Sequence, residues 1–204
     1  MNFNLERKLR KKGYKNIVGL DEVGRGPLAG PVLAVAFMID DYKNNTFKKV
    51  KDSKKLSAKQ RNEIYNLLTS NKNIKWGIGK VSEKIIDKIN ILEATKRAMI
   101  KAIKDLEKKN KLKINYLIID GNFSIKTEIP QESVIKGDSK IFSCAAASII
   151  AKVERDRLMD KLHKKYPQYG FNQHKGYPTK KHRLMIKKNG LSKIHRLTFK
   201  SDIG

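Results

Sequence analysis

The sequence is short of several things that would otherwise explain it. It has one cysteine, Cys144, in 204 residues, which excludes an intramolecular disulfide framework and fits a reducing cytosol. Its four histidines, His163, His174, His182 and His195, show no metal-ligand spacing and read as surface or loop residues, with His174 and His182 able to approach a substrate. The first 16 residues lack the 7–15-residue apolar core of a secretory signal. The longest apolar stretches, Val32 to Ile39 and Cys144 to Ala151, are too short to span a bilayer. The expectation is a soluble, cytoplasmic, monomeric protein with no membrane partner, in which Asn44-Asn45-Thr46 and Asn122-Phe123-Ser124 are incidental sequons. Acidic residues are scarce too: 20 Asp+Glu face 46 Lys+Arg, a formal charge of +26. Aromatics make up only 7% and all hydrophobic residues 39%, yet apolar runs recur between the lysines, which argues against disorder. The length suits a single domain over residues 1–204, large enough to bury a core.

A charge of +26 suits a polyanion, because each phosphate neutralised by Lys or Arg releases counterions. Compositional bias is the competing explanation: 37 of the basic residues are Lys, only nine are Arg, and there are 15 Asn. Residues 151–204 hold eleven Lys and four Arg against four acids, which makes this quarter a candidate docking surface. Lys180-Lys181-His182-Arg183 with Lys187-Lys188 reads equally well as a solvated helix face.

Periodicity predicts strands at Ile17 to Asp21, Val32 to Ile39, Ile74 to Val81, Tyr116 to Ile119 and Ser133 to Ile135. It predicts helices over 57–70, 82–109 with a break near Asn90, Ser139 to about His163, and 179–189. Residues 166–178 read as loop. This alternation defines an α/β fold, a mixed sheet flanked by helices.

The acids are the informative minority. Asp21-Glu22 closes one apolar strand and Asp120 another, and ligands of open α/β sheets bind at strand C-termini. Adjacent carboxylates repel unless a cation lies between them. A regular strand would send Asp21 and Glu22 to opposite faces, so for both to serve one site the strand should end or bulge there, which Gly24 and Gly26 permit. Asp138 reads either as the cap of the following helix or as a fourth carboxylate. Oxygen ligands without a Cys/His cluster suit Mg²⁺ or Mn²⁺ rather than zinc, and two such ions support phosphodiester hydrolysis. Gly19 to Gly26 fails as a phosphate loop because Arg25 and Gly26 replace Lys and Ser/Thr. Gly24 to Ala29 fails as a dinucleotide motif because a turn and a strand follow it.

The segment Gly19-Leu-Asp-Glu-Val-Gly-Arg-Gly-Pro-Leu-Ala-Gly-Pro-Val32 resembles the signature of the type 2 ribonucleases H, in the bacterial ribonuclease HII branch. The resemblance continues through Asp52 to Leu56, Ile119-Asp120-Gly121, Lys136-Gly137-Asp138, Cys144 to Asp156 and His174 to Thr179, over roughly residues 17–199. It implies a ribonuclease H-like fold, with a core over about 17–165 and a C-terminal helical, substrate-contacting segment over about 166–204. Only about 16 residues precede Ile17, which favours this branch over ribonuclease HIII. The implied metal and catalytic residues are Asp21, Glu22, Asp120 and Asp138, with Asp21 and Asp120 holding two divalent ions and the other two completing their shells. The implied activity is hydrolysis of the RNA strand of RNA/DNA hybrids and incision 5′ of single ribonucleotides in duplex DNA, leaving 3′-hydroxyl and 5′-phosphate ends. By the same resemblance Gly24, Arg25 and Gly26 read the ribose 2′-hydroxyl and Tyr177 stacks on the next deoxyribose. Lys54, Lys152 and Arg155 are candidate phosphate contacts, and Cys144 is expected to be buried and inert. The rival readings are a resolvase or integrase-like nuclease, which would cut all-DNA junctions in preference to ribonucleotide sites, and a non-catalytic RNA-binding protein, which has no reason to place Asp and Glu together at a strand end.

Overall fold

The computed structural model describes residues 2–40, 50, 53 and 56–202. Strand β1 (Ile17–Val23) leads into β2 (Val32–Ile39), followed by helix α2 (Ala58–Thr69), β3 (Ile74–Val81), α3 (Glu83–Asn110), β4 (Tyr116–Asp120) and β5 (Gln131–Val134). A short α4 (Gly137–Lys140) precedes the long α5 (Phe142–Lys165), followed by α6 (Phe171–His174) and α7 (Lys180–Asn189), while α1 (Asn4–Lys11) precedes the sheet. The sheet order is β3-β2-β1-β4-β5. β1 is antiparallel to β2 and parallel to β4, β2 is antiparallel to β3, and β4 is parallel to β5.

β2 shows why its sequence is apolar throughout: both faces are covered. Val35, Phe37 and Ile39 pack with the Ala145 to Ala147 stretch of α5 and with α2, while Val32, Ala34, Ala36 and Met38 pack with Ala94, Ala98, Met99 and Ala102 of α3. The small residues of α5 let its backbone lie close to the sheet. The same holds on the other face, where a Cβ on Gly79 would stand 1.9 Å from the Ala98 carbonyl oxygen; only glycine permits that approach. α3 bends where expected, with Asn90 at φ 65° and its side-chain oxygen accepting from the Glu93 amide at 3.1 Å.

Several local expectations need correction. α1 has no counterpart in the periodicity reading; it is held through Leu9 and Glu6, both buried. The Glu6 carboxylate accepts from the Ser143 amide (3.1 Å) and hydroxyl (2.9 Å), capping α5 from a distant part of the chain because Ile141, at the N-cap, has no polar side chain. The helix expected from Ser139 starts at Phe142, after α4, and the last strand starts two residues and ends one residue earlier than expected. Residues 166–178 hold a 3₁₀ turn, Pro167–Tyr169, and α6. From Tyr169 onward this segment forms its own apolar cluster, in which Tyr169, Phe171, Ile186 and Ile194 surround Leu28 and Ala29. That contact brings the C-terminal segment against the loop after β1. Among the described residues no helix is long and apolar enough to cross a membrane.

Candidate active site

The four acids meet at one cavity, as the sequence suggested, though not by the expected route. β1 neither ends nor bulges at Asp21: its register with β2 runs on regularly through Asp21–Val35, Glu22–Ala34 and Val23–Leu33. The neighbour on the other side ends instead. The last registered β1–β4 pair is Leu20–Ile119, and β4 stops at Asp120, leaving Glu22 at an open notch in the sheet. Asp21 and Glu22 can then line one cavity despite strand alternation. That cavity, of about 310 Å³, is lined by Asp21, Glu22, Asp120 and Asp138 together with Gly24, Arg25, Gly26, Lys152 and Tyr177. Asp138 lies in the first turn of α4, is buried and lines the same cavity. Asp120 is oriented by the Gly137 amide, which donates to its Oδ1 at 2.8 Å.

Electrostatics mark Asp21 and Glu22 as held in strained surroundings. Burial, followed by the charges of Glu22 and Asp120, pushes Asp21 well above the usual carboxylate range, against the pull of the Ser148 hydroxyl and the Glu22 amide; that amide donates to Asp21 Oδ1 at 2.7 Å. Burial also raises Glu22, although Arg25 opposes it with an ion pair at 3.3 Å. Glu22 Oε2 is buried without a hydrogen-bond partner. An orphaned carboxylate oxygen beside two further acids is costly, and a hard divalent cation is the ligand that donor set fits. Among the described residues no three acidic, histidine or cysteine side chains draw close enough to cage an ion unaided.

The glycine loop after β1 is held from beneath by two fully buried arginines. Arg196 donates to the carbonyls of Gly24 (2.6 Å), Arg25 (2.8 Å) and Gly30. Arg155 donates to Pro31 (3.2 Å), Ala29 (3.2 Å) and Lys175 (2.9 Å). Arg155 therefore is not the phosphate contact expected from sequence: it has no exposed surface, and its guanidinium is spent on main-chain oxygens. Gly24 has φ +95°, and a Cβ there would meet Arg155 Nε at 2.3 Å, so the loop and its support require each other. Gly26 faces Tyr177, whose Cε1 would lie 3.8 Å from a Cβ at Gly26.

Lys152 does reach the cavity, paired with Asp156 at 2.8 Å and 5.9 Å from the Tyr177 ring centre. Lys54 lies outside the described residues. Cys144 is buried, with burial and then Asp21 and Asp120 raising its thiol, as an inert thiol requires. The histidine expectation fails for His174 and His182, which are buried in helices; His195 is a loop residue as expected, though buried. Sequence reasoning also missed Ser53, Ser148 and Arg61 in the lining. The Ser53 and Ser148 hydroxyls lie 3.0 Å apart, and Arg61 bonds the Ser53 and Leu56 carbonyls. The available signal for Ser148 was a hydroxyl closing the alanine run of α5.

A mixed α/β sheet with four carboxylates at one notch, beside a glycine loop and in a basic body, defines a metal-dependent phosphodiester hydrolase of the ribonuclease H-like fold. The family model described as Ribonuclease HII matches residues 18–202. A ribonuclease HII from Desulfotalea psychrophila is 52% identical over 200 residues, covering 98% of this chain and 87% of the relative. One from Chlamydia muridarum is 50% identical over 189 residues, covering 93% and 84%. The crystal structure of ribonuclease H2 from Pyrococcus horikoshii OT3 superposes with a TM-score of 0.74 at 27% identity, covering 92% of this chain and 95% of that one. The chain belongs to the ribonuclease HII family, and it is a metal-dependent hydrolase with ribonuclease H endonuclease activity on RNA/DNA.

Proposed function

We propose that the protein incises duplex DNA immediately 5′ of a single ribonucleotide as well as cutting the RNA strand of hybrids, with two divalent ions, Mg²⁺ or Mn²⁺, held by Asp21, Glu22, Asp120 and Asp138. The observation that carries this reading is the orphaned Glu22 Oε2 in a cavity shared by all four carboxylates. When bound, such ions activate water and neutralise charge developing on the phosphate. The chain's own residues do the rest. Asp21, Glu22, Asp120 and Asp138 concentrate negative charge at the notch, and Asp120 is fixed by the Gly137 amide. Arg25 and Lys152, on the cavity wall, attract backbone phosphates. Gly24 and Gly26 carry no side chain to keep a ribose from the loop backbone, which supports recognition of the 2′-hydroxyl, the group that separates RNA from DNA. The Tyr177 ring, on the opposite wall, would stack on the following deoxyribose, making the segment from residue 166 onward a substrate-contacting one.

The test is a duplex DNA carrying one ribonucleotide, offered beside an all-DNA duplex and a hybrid, with Mg²⁺, Mn²⁺ or chelator. Cutting 5′ of the ribonucleotide to leave 3′-hydroxyl and 5′-phosphate ends, abolished by chelator, is the expected result. An intact ribonucleotide duplex under every metal condition, while the hybrid is cut, overturns it.

A further inference from the structure

Tyr177 stands at the wall of the cavity, and its carbonyl enters a hydrogen-bonded string that nothing in the catalytic chemistry demands. His182 Nδ1 lies 2.9 Å from the Tyr177 carbonyl oxygen. A carbonyl only accepts, so His182 carries its proton on Nδ1 and its Nε2 is bare. That bare nitrogen lies 3.1 Å from His195 Nε2, which must then be the donor. His195 Nδ1 is left as an acceptor, and the Ser192 amide and hydroxyl both stand 2.8 Å from it. The amide can only donate, so the assignment is the same from either end. His174 is fixed in the same way, its Nε2 donating to the Tyr169 carbonyl at 2.8 Å and its Nδ1 accepting from the Gly176 amide at 3.2 Å.

These rings are enclosed. His174 and His182 stack with centroids 4.3 Å apart, Phe171 meets both edge-on, and Tyr169 meets His195 edge-on. Burial pulls His182 and His195 down to about 4, so both are neutral where the string needs them neutral.

The next residue reaches the other way. Arg196 holds the carbonyls of Gly24, Arg25 and Gly30, and its own amide donates to the Leu28 carbonyl at 2.8 Å. Two adjacent residues thus hold both walls of the slot: Arg196 the glycine loop, and His195, through His182, the Tyr177 main chain. We propose that the string Ser192–His195–His182–Tyr177 is a positioning device that sets the gap between Tyr177 and Gly26, and with it the preference for a deoxyribose beside the cut ribonucleotide. His182 and His195 are positioning residues, acting through Tyr177. The inference rests on the reading given above that Tyr177 contacts the substrate sugar.

Two measurements on the full chain test it. Side-chain ¹⁵N shifts at neutral pH should show single neutral tautomers, Nδ1–H for His182 and Nε2–H for His174 and His195; a reversed or averaged tautomer at His182 or His195 overturns the string. In a double-mutant cycle on the single-ribonucleotide duplex, His182→Leu should lower kcat/KM about tenfold, the scale of one lost hydrogen bond. His182→Asn, which keeps a donor near the Tyr177 carbonyl, should recover most of that loss. In a Tyr177→Ala background His182→Leu should add nothing; an undiminished effect there means a general loss of structure and overturns the positioning role. If Tyr177→Ala is itself silent, the substrate role of Tyr177 fails and the specificity role fails with it, while the tautomers still report whether the string exists.

Discussion

Asp21 is where stability and activity pull in opposite directions. Its carboxylate is buried, beside Glu22 and Asp120, and burial is the main reason its proton is held more tightly in the folded chain than in the unfolded one. For an acid whose folded pKa is raised, the folded state binds more protons than the unfolded state between the two pKa values, so stability falls as pH rises through that window. Below the usual carboxylate range the penalty is absent; above the raised folded value it is complete. Asp21→Asn removes it while keeping an acceptor for the Glu22 amide. In chelator the variant should therefore melt above the wild type at neutral pH, with the difference shrinking towards zero as the pH falls below about 4. With metal it should have lost nearly all cutting activity. Calorimetry across pH, beside the duplex assay, checks both halves; a variant no more stable than wild type at neutral pH would show that Asp21 carries no such strain. The same residue shows what could be read in advance. That the acids matter followed from their position after apolar runs in a basic chain. How Asp21 and Glu22 come to share a cavity did not, because the notch is made by where β4 stops, and register between distant strands is not written in either one.

Strands with clear apolar runs were the most legible. The limits of β2, covered on both faces, and of the edge strand β3 match those expected, because such runs bounded by turns have few other solutions. α3, with its break at Asn90, was legible for a similar reason: its apolar residues recur at helical spacing over a long span. α1 was not, since it is a short, highly charged helix whose place is fixed by Leu9 and by Glu6 reaching Ser143, a tertiary contact. Arg155 illustrates the same limit. A basic residue in a helix near the site reads as a phosphate contact until packing shows that its donors face inward, towards Pro31, Ala29 and Lys175. The packing of α3 on β3 offers a clean test. At Gly79 a Cβ would stand 1.9 Å from the Ala98 carbonyl and 2.6 Å from the Ala102 amide nitrogen, so backbone rather than a flexible side chain must move. Gly79→Ala should cost about 3 kcal/mol, lowering Tm by about 6–12 °C for a chain this size. Because the strain lies away from the cavity, kcat/KM of the folded fraction should stay near that of the wild type. A stability change under about 0.5 kcal/mol, the range of ordinary surface substitutions, would mean that α3 can shift off the sheet at little cost.

At the scale of the whole molecule, +26 is the most conspicuous quantity and the least selective. It accounts for attraction to any polyanion, whereas the four acids at the notch single out the chemistry. The two contributions separate under salt. Counterion release makes duplex affinity fall linearly with the logarithm of salt concentration, by about 0.9 in slope for each phosphate neutralised. With Arg25, Arg61 and Lys152 on the cavity wall of a chain with 46 Lys+Arg, a slope of roughly −3 to −5 is expected. Selectivity should behave differently. In the proposed function the glycine loop reads one 2′-hydroxyl and Tyr177 stacks on the next sugar, contacts that involve no phosphate, so the ratio of affinities for ribonucleotide-containing and all-DNA duplexes should stay constant as salt rises. Binding titrations with the cutting-deficient Asp21→Asn chain, at fixed Mg²⁺ and varied KCl, measure both quantities at once. A ratio that collapses with salt would place the discrimination in charge rather than in the slot. The same salt should act oppositely on the free protein. Like charges on the folded surface repel one another, and screening relieves them over about 10 Å at 0.1 M salt, so Tm should rise over the range in which duplex affinity falls. A Tm that falls instead would show that the ion pairs at the surface outweigh the excess positive charge.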